Sequence, residues 1–209
     1  GTGIGGIETL CDEFKDYSVG DGTPRFSPFY IVKIITNIAP GWISLKYGFT
    51  GPGYSTSSAC ASSAHAMMDA FNMIRLGKAD IVVTGGTEAP IAENAIGGFN
   101  SAKALSVNNE NYLTASKPFD ALRDGFVMGE GAGIFILEEY EHAKARGAKI
   151  YAEFCGAGVT TDAYHITAPH PEGLGAAKAI TLALEEAGIA PEEVDYVNAH
   201  GTATPLGDI

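Results

Sequence analysis

Alternation of strand-like and helix-like segments is the feature that most restricts the fold of this chain. Apolar runs of strand length occupy residues 81–85 and 134–138, and segments of helical periodicity lie close to each of them. No internal repeat, low-complexity segment or linker interrupts the alternation. This pattern indicates an α/β architecture.

The same periodicities predict the individual elements. Helices are expected at residues 7–17, around 32–45, and at 61–76, 91–105, 139–146 and 173–187. Strands are expected at residues 81–85, 134–138, 150–159 and 194–198. Gly147 and Gly188 follow two of the helical patterns, where glycine commonly ends a helix.

Composition narrows the class of protein and its partners. The chain has 209 residues, 45% hydrophobic and 18% charged, which is typical of one globular domain or parts of two. No run of 18 apolar residues is present to cross a bilayer. The net charge of −12 argues against nucleic acid or an anionic membrane surface as a partner. Three cysteines without a framework spacing suit a reducing compartment, so we expect a cytoplasmic protein.

Cys60 is the first candidate for chemistry. It ends a run of small residues and stands where the helical pattern of residues 61–76 begins, so we expect it to cap that helix. Unpaired N–H groups and the positive dipole end at such a position favour a thiolate. A free cysteine packed among small residues is also commonly inert, and this pattern alone leaves both interpretations open. Cys11, in a helical run, and Cys155, in an apolar run, are interpreted as structural.

His200 is the second candidate. It follows the predicted strand at residues 194–198, and functional groups of α/β proteins gather at the carboxyl ends of strands. A lone histidine there is more often structural. In the same chain as a thiol at a helix start, His200 becomes a candidate partner for acyl chemistry.

The segments around both residues resemble a known family. Residues 57–63 resemble the cysteine motif of the β-ketoacyl-[acyl-carrier-protein] synthases, and residues 198–208 resemble their first-histidine motif. Residues 97–99, 117–120, 123–133 and 162–167 are similar to further segments of that family, in the same order. The resemblance covers essentially the whole chain and is closest to the synthases of type II.

The resemblance implies the thiolase fold, an α/β fold of two similar halves stacked in five αβαβα layers. Residues 1–149 would be part of the N-terminal half, with the nucleophile, and residues 150–209 the start of the C-terminal half, with the first histidine. The family's Lys and second-His motif and its Gly-Phe-Gly-Gly segment do not occur between Gly1 and Ile209. The chain is therefore expected to be an internal fragment, incomplete at both ends and inactive alone, of a protein that forms a homodimer.

The implied reaction is a decarboxylating Claisen condensation that elongates fatty acids, with the acyl and malonyl forms of acyl carrier protein as partners. Cys60 would carry the acyl group, and its N–H would supply half of an oxyanion hole. His200 would stabilise the enolate formed from malonyl thioester. The resemblance also implies substrate-binding residues: Thr202 and Thr204 would contact the phosphopantetheine arm, and Ile4 and Phe99 would shape the acyl channel.

No cofactor is expected, because the thioester already activates both partners and phosphopantetheine arrives on the carrier protein. Lys103 resembles a basic position at which the family docks its carrier protein. A solvated surface charge is the alternative interpretation of Lys103.

Other functions remain as alternatives. A polyketide-type ketosynthase would use the same chemistry, although Asn198 before Ala-His200 favours the fatty-acid branch of the family. A Cys–His hydrolase would use the same pair of residues, but no water-activating acid is evident. A thiolase would share the fold, but its cysteine and histidine motifs differ, and non-catalytic chain-length partners usually lack the cysteine.

Some local patterns are given structural interpretations. Residues 1–6 fit G-x-G-x-x-G, but no strand precedes them as a dinucleotide site requires. His165 and His170 lack a third metal ligand at a useful spacing. His65 is expected to form a surface pair with Asp69, one helical turn away, and His142 to be solvated.

Overall fold

A computed structural model of the chain describes residues 1–208. Over this range the structure contains seven α-helices and two β-strands, in the order α1 (Ile7–Val19), α2 (Tyr30–Ile34), α3 (Ile38–Tyr47), α4 (Ser62–Arg75), β1 (Ile81–Glu88), α5 (Glu93–Ser101), β2 (Gly131–Glu138), α6 (Tyr140–Ala145) and α7 (Leu174–Ala187). Single 3-10 turns occupy Tyr112–Thr114 and Pro191–Glu193. None of the helices within the described range has the length and apolar character needed to cross a membrane.

The two strands form an antiparallel ribbon. Their register runs from Ile81 opposite Glu138 to Glu88 opposite Gly131. At its centre the two backbones approach closely: a Cβ built on Gly85 would lie only 2.0 Å from the carbonyl oxygen of Gly133. Gly85 also has a φ of +136°, so only glycine fits this step of the ladder.

Helix α4 packs against β1 and positions the segment that contains Cys60. Ala70 on α4 is 2% exposed, and Thr84 on β1 is also buried. The expected helix stops are confirmed at Gly147 and Gly188, which have left-handed φ values of +69° and +70°. The predicted helices at residues 7–17, 61–76, 139–146 and 173–187 are confirmed with small differences in length. The helix predicted at 91–105 is confirmed only over Glu93–Ser101, and it ends before Lys103, which has a left-handed φ of +54°.

The predicted helix around residues 32–45 is wrong as a single element. The structure divides it into α2 and α3, with Ile35 in an extended conformation (φ −71°, ψ 139°) between them. Pro40 lies in the first turn of α3, where its missing N–H costs nothing. A continuous helix would bring the Pro40 ring against the carbonyl of Thr36, so the break has a steric cause.

The predicted strands at residues 150–159 and 194–198 are wrong for residues 1–208, since neither is paired in a ladder there. Apolar periodicity reports which residues suit a strand, but a strand exists only through hydrogen bonds to a neighbour. Residues 156–160 lie along α7 instead. A Cβ on Gly158 would lie 1.9 Å from the carbonyl oxygen of Ala179, and Thr160 Oγ1 donates to Gly175 O at 2.7 Å.

The chain divides into two compact units that do not follow chain order. One comprises residues 1–98 and 128–150, with the ribbon, α1–α4 and α6; the other comprises residues 99–127 and 151–209, with α7. The expected division at residue 149 concerns the halves of the complete fold, and it stays a prediction.

Small side chains make up the buried apolar interior. The most buried apolar residues between residues 1 and 208 are all alanines: Ala70, Ala95, Ala115, Ala143 and Ala203. Large apolar side chains are open to solvent, with Ile166 94% and Leu113 86% exposed. The chain therefore buries little of the apolar surface that its sequence provides.

Candidate functional site

A tight turn before α4 presents Cys60. The residue that caps α4 is Ala61, so Cys60 lies one position earlier than expected, and the prediction that Cys60 itself caps the helix is wrong by one residue. The turn is held by Ser62, whose Oγ accepts from Ser58 N at 2.8 Å and donates to Ala59 O at 2.6 Å. Ala59 has a left-handed φ of +52°, uncommon for a residue with a Cβ.

This geometry leaves both the thiol and the amide of Cys60 available. Cys60 is exposed, and none of the hydrogen bonds described within residues 1–208 uses its N–H. The N–H groups of Ala61 and Ser62 donate to Ser58 O and Ala59 O, and the positive end of the α4 dipole favours negative charge beside it. A carbonyl bound at Cys60 would meet the free N–H of the same residue, which is half of what an oxyanion hole requires.

His65 supports the same turn from the first part of α4. Its Nδ1 lies 2.6 Å from Ser58 Oγ, so the expected surface pair with Asp69 is wrong. Asp69 instead accepts from the Tyr54 hydroxyl at 3.3 Å, and burial together with this carboxylate raises the pKa of Tyr54. Helical spacing indicated Asp69 as the partner of His65, whereas the actual partner, Ser58, precedes the helix.

Ile4 lies in a glycine-rich loop beside the Cys60 turn. A Cβ built on Gly3 would lie 3.2 Å from the carbonyl oxygen of Ala59, so the two backbones are in close contact. The carboxylate of Glu88 accepts hydrogen bonds from the backbone of this loop. Ile4 is 38% exposed. The first compact unit therefore brings Ile4 and Cys60 into one neighbourhood.

His200 begins a compact loop in the second unit. Its imidazole is exposed and takes part in none of the side-chain hydrogen bonds described for residues 1–208. Gly201, with a φ of +44°, packs so closely on the Phe119 ring that a Cβ would lie 3.1 Å from it. The hydroxyls of Thr202 and Thr204 lie 3.2 Å apart. The loop thus presents an imidazole followed by two adjacent hydroxyls.

Asp208 and Arg123 hold this loop, and sequence reasoning assigned them no role. One oxygen of Asp208 accepts from Ala203 N and Phe119 N, both at 2.9 Å. Its other oxygen is buried without a partner within residues 1–208. Arg123 Nε donates to Thr204 O at 3.1 Å. Both residues belong to the motif segments of the sequence, which was the available signal.

The remaining candidates have simpler surroundings. Phe99 is half-buried near the end of α5, with its ring edge-on to Phe126 at 5.3 Å. Lys103 is exposed and has a left-handed φ of +54°. Cys155 is exposed outside any ladder, which corrects the interpretation of a strand cysteine. Cys11 is partly buried, and its Sγ accepts from Asn94 Nδ2 at 2.6 Å.

The other histidines are engaged locally. His165 Nδ1 accepts from Ala168 N at 3.0 Å, and His170 N donates to Asp162 Oδ2 at 2.9 Å. His142 is paired with Glu138 at 2.6 Å while its side chain stays 45% exposed. Across the described part of the chain, no group of three His, Cys, Asp or Glu side chains is arranged to hold a metal ion.

Comparison with known proteins places this arrangement in context. Residues 1–143 match the family "Beta-ketoacyl synthase, N-terminal domain", and residues 151–209 match "Beta-ketoacyl synthase, C-terminal domain". The chain is 51% identical over 207 residues to a mitochondrial 3-oxoacyl-[acyl-carrier-protein] synthase of Arabidopsis thaliana, covering 98% of this chain and 45% of the relative. It is 50% identical over 209 residues to 3-oxoacyl-[acyl-carrier-protein] synthase 2 of Staphylococcus aureus, covering 100% and 51%.

Solved structures agree. A β-ketoacyl synthase from Burkholderia phymatum superposes with a TM-score of 0.91 at 37% identity, covering all of this chain and 50% of that one. A ketosynthase of a type II polyketide system, solved with its acyl carrier protein, gives 0.88 at 36% identity, covering all of this chain and 53% of that one.

These neighbours have the thiolase fold, which confirms the expected fold class. The chain spans about half the length of the curated relatives it matches. Both family domains are matched in their usual order, by segments that together cover nearly all of the sequence. On this evidence the chain belongs to the β-ketoacyl synthase family.

Proposed function

We propose that the full-length protein is a 3-oxoacyl-[acyl-carrier-protein] synthase that elongates fatty acids. The observation that carries this proposal is the presentation of Cys60. Its thiol is exposed and its N–H is free at the start of α4, in a chain about half identical over its whole length to proteins of that name.

In the first half-reaction, the Cys60 thiolate attacks the thioester carbonyl of an acyl carrier protein. A bond forms between Cys60 Sγ and the acyl carbon, and the bond to the phosphopantetheine sulfur breaks. The carrier leaves as its thiolate, which takes up a proton from solvent to replace the one that Cys60 lost. The tetrahedral intermediate carries negative charge on the former carbonyl oxygen. The Cys60 N–H donates a hydrogen bond to that oxygen.

In the second half-reaction, malonyl thioester loses carbon dioxide. The electron pair of the broken carbon–carbon bond becomes an enolate, and His200 stabilises its oxygen by a hydrogen bond. The enolate carbon attacks the acyl-Cys60 carbonyl, a new carbon–carbon bond forms, and the Cys60 thiolate leaves. The product is 3-oxoacyl thioester on the carrier protein.

The other candidate residues serve substrate binding in this proposal. Thr202 and Thr204 contact the phosphopantetheine arm through the paired hydroxyls of their loop. Ile4 and Phe99 shape the acyl channel. Acyl carrier protein, in its acyl and malonyl forms, is the partner, and Lys103 contributes to its docking. We also propose a homodimer, a cytoplasmic location and no cofactor beyond the substrate's own phosphopantetheine.

A polyketide-type ketosynthase is the second candidate. The type II polyketide neighbour supports it, with 36% identity and a TM-score of 0.88. The relatives named as 3-oxoacyl synthases are 50–51% identical over nearly the whole chain, which favours fatty-acid elongation.

The test is reconstitution with the full-length protein. Incubation with acyl- and malonyl-carrier protein should yield 3-oxoacyl-carrier protein, detected by mass spectrometry together with release of carbon dioxide. Cys60→Ala should abolish product, whereas Cys155→Ala, which removes another exposed thiol, should leave product formation unchanged. Absence of condensation by the native protein, or full activity of Cys60→Ala, would refute the proposal.

A further inference from the structure

We propose that Glu88 is a positioning residue that fixes Ile4 in the acyl channel and so sets the chain-length dependence of condensation. This inference rests on the proposed function. It assigns a role to a carboxylate that neither the motifs nor the chemistry above used.

Glu88 ends β1, and both of its carboxylate oxygens point to one loop. Oε1 accepts from Thr2 Oγ1 at 2.9 Å and from Gly5 N at 3.2 Å. Oε2 accepts from Gly3 N at 2.6 Å and Ile4 N at 3.0 Å. Three consecutive backbone N–H groups thus converge on one side chain, an arrangement that binds anionic groups well. Hydrogen bonds to a charged acceptor are about twice as strong as neutral ones.

The loop is confined on its other sides by backbone. A Cβ on Gly3 would lie 3.2 Å from Ala59 O, and one on Gly5 would lie 3.1 Å from Ile34 O. Gly5 also has a φ of +76°. The loop therefore packs between the Cys60 turn and the end of α2, and it also contacts the Glu88 carboxylate.

Ile4 is the only residue from Gly3 to Gly6 with a side chain. Its backbone N–H donates to Glu88 Oε2 at 3.0 Å, while its own side chain is left 38% exposed. Its position relative to the Cys60 turn consequently depends on a residue 84 positions away. An acyl chain attached to Cys60 and extending past Ile4 would therefore contact a side chain whose position Glu88 fixes.

The experiment compares Glu88 variants in the full-length synthase with primers of increasing acyl length. Glu88→Ala should raise KM for the longest accepted primer about tenfold, because the primer must then order a loop that was preorganised. kcat with the shortest primer should stay within about threefold. Glu88→Gln, which keeps an acceptor oxygen, should restore part of the long-primer affinity.

Glu13→Ala is the matched control. Its carboxylate accepts from Ser27 N at 2.9 Å, a contact of the same kind in the same compact unit that does not touch the Ile4 loop. This variant should leave the length profile unchanged. A length-independent change in KM for Glu88→Ala, or the same profile change in Glu13→Ala, would overturn the inference.

A double-mutant cycle keeps the test decisive if Glu88→Ala does not fold. In an Ile4→Ala background, Glu88→Gln should no longer alter the length profile, because the side chain through which it acts is gone. Equal effects of Glu88→Gln in both backgrounds would refute the inference. Failure of the native enzyme to condense would instead refute the proposed function, so the two outcomes are distinguishable.

Discussion

At the scale of single residues, the three thiols differ in setting more than in exposure. Cys60 and Cys155 are both exposed, whereas Cys11 is partly buried against Asn94. Only Cys60 adjoins the start of a helix, where the positive end of the dipole stabilises negative charge that develops as a thiol reacts. We therefore predict that iodoacetamide labels Cys60 first in the full-length protein at neutral pH, as mapped by peptide mass spectrometry. Preferential labelling of Cys155, which is also exposed but lies outside any helix, would contradict this prediction.

The roles of Cys60 and His200 are separable. If His200 acts on the malonyl enolate and not on the thiol, His200→Ala should still load an acyl group on Cys60. Condensation should fall by about two to four orders of magnitude. Cys60→Ala should lose loading altogether. Intact-protein mass spectrometry and product assays measure the two steps; loss of loading with unchanged malonyl decarboxylation in His200→Ala would reverse the assignment.

The proposed acyl channel gives a third prediction at this scale. The Ile4 side chain is 38% exposed beside the Cys60 turn, and an aromatic ring there would fill the room that a long chain needs in the proposed channel. Ile4→Phe should lower kcat/KM for the longest primers by roughly tenfold while short primers still turn over. A chain-length series with the full-length enzyme measures this. An unchanged profile would remove Ile4 from the channel.

The sequence singled out motif residues of the candidate site, and it missed the residues that support them. Cys60 was singled out because it precedes a helical pattern, and His200 because it follows an apolar run of strand length. Glu88 was missed because its partners lie 83 to 86 residues away, and three of the four are backbone N–H groups, which almost every residue has. Ser58, the partner of His65, was missed because it precedes α4, and helical spacing indicates only pairs within one helix.

At the scale of elements, a carboxylate ties the end of β2 to the end of α6. Glu138 accepts from Arg146 Nε at 2.7 Å and Nη2 at 2.6 Å, and its Oε1 lies 2.6 Å from His142 Nδ1. The Arg146 hydrogen bonds, followed by that from His142, lower the pKa of Glu138 to about 2. The ionised form of this side chain is therefore favoured by folding.

The sign of this linkage gives a pH prediction. A carboxylate with a depressed folded-state pKa stabilises the fold fully above its ordinary value of 4.5, and the contribution is lost as pH falls through about 2. Glu138→Gln should lower the melting temperature of the full-length protein at pH 7, and the difference should shrink between about pH 4.5 and 2. The control Glu141→Gln disrupts only an exposed pair with Lys144 and should have little effect. A pH-independent difference would contradict the linkage.

Helices were predicted better than strands, for a physical reason. The apolar pattern of α7 and the glycine at position 188 are enough to predict this helix, because the hydrogen bonds of a helix are made within its own segment. β1 and β2 were identified from their apolar runs, but their pairing across more than forty residues was not. Residues 150–159 have the composition of a strand without a ladder in the described structure.

At the scale of the whole molecule, burial predicts the behaviour of the 209-residue chain. Its most buried apolar side chains are alanines, and no large side chain is fully buried within residues 1–208. Such an interior supplies little of the apolar burial that offsets chain entropy. We predict that this chain, purified alone, melts without a sharp transition, binds a hydrophobic dye, and forms no 3-oxoacyl product.

Calorimetry, dye fluorescence and the condensation assay check this prediction, with the full-length protein as the control. A soluble 209-residue chain that melts cooperatively and condenses acyl and malonyl groups would contradict it. In that case, apolar residues that are exposed in the structure, such as Leu113 and Ile166, should be found buried in solution.

The lengths of the hydrogen-bonded loops also set an order in which the chain takes shape during synthesis. The Cys60 turn is tied by bonds spanning three, four and seven residues, so it can form soon after His65 leaves the ribosome. The His200 loop depends on a bond from Phe119 to Asp208 that spans 89 residues. A nascent chain therefore displays its thiol long before the histidine loop exists. The Cys60 thiol is therefore open to oxidants and electrophiles throughout synthesis of the rest of the chain.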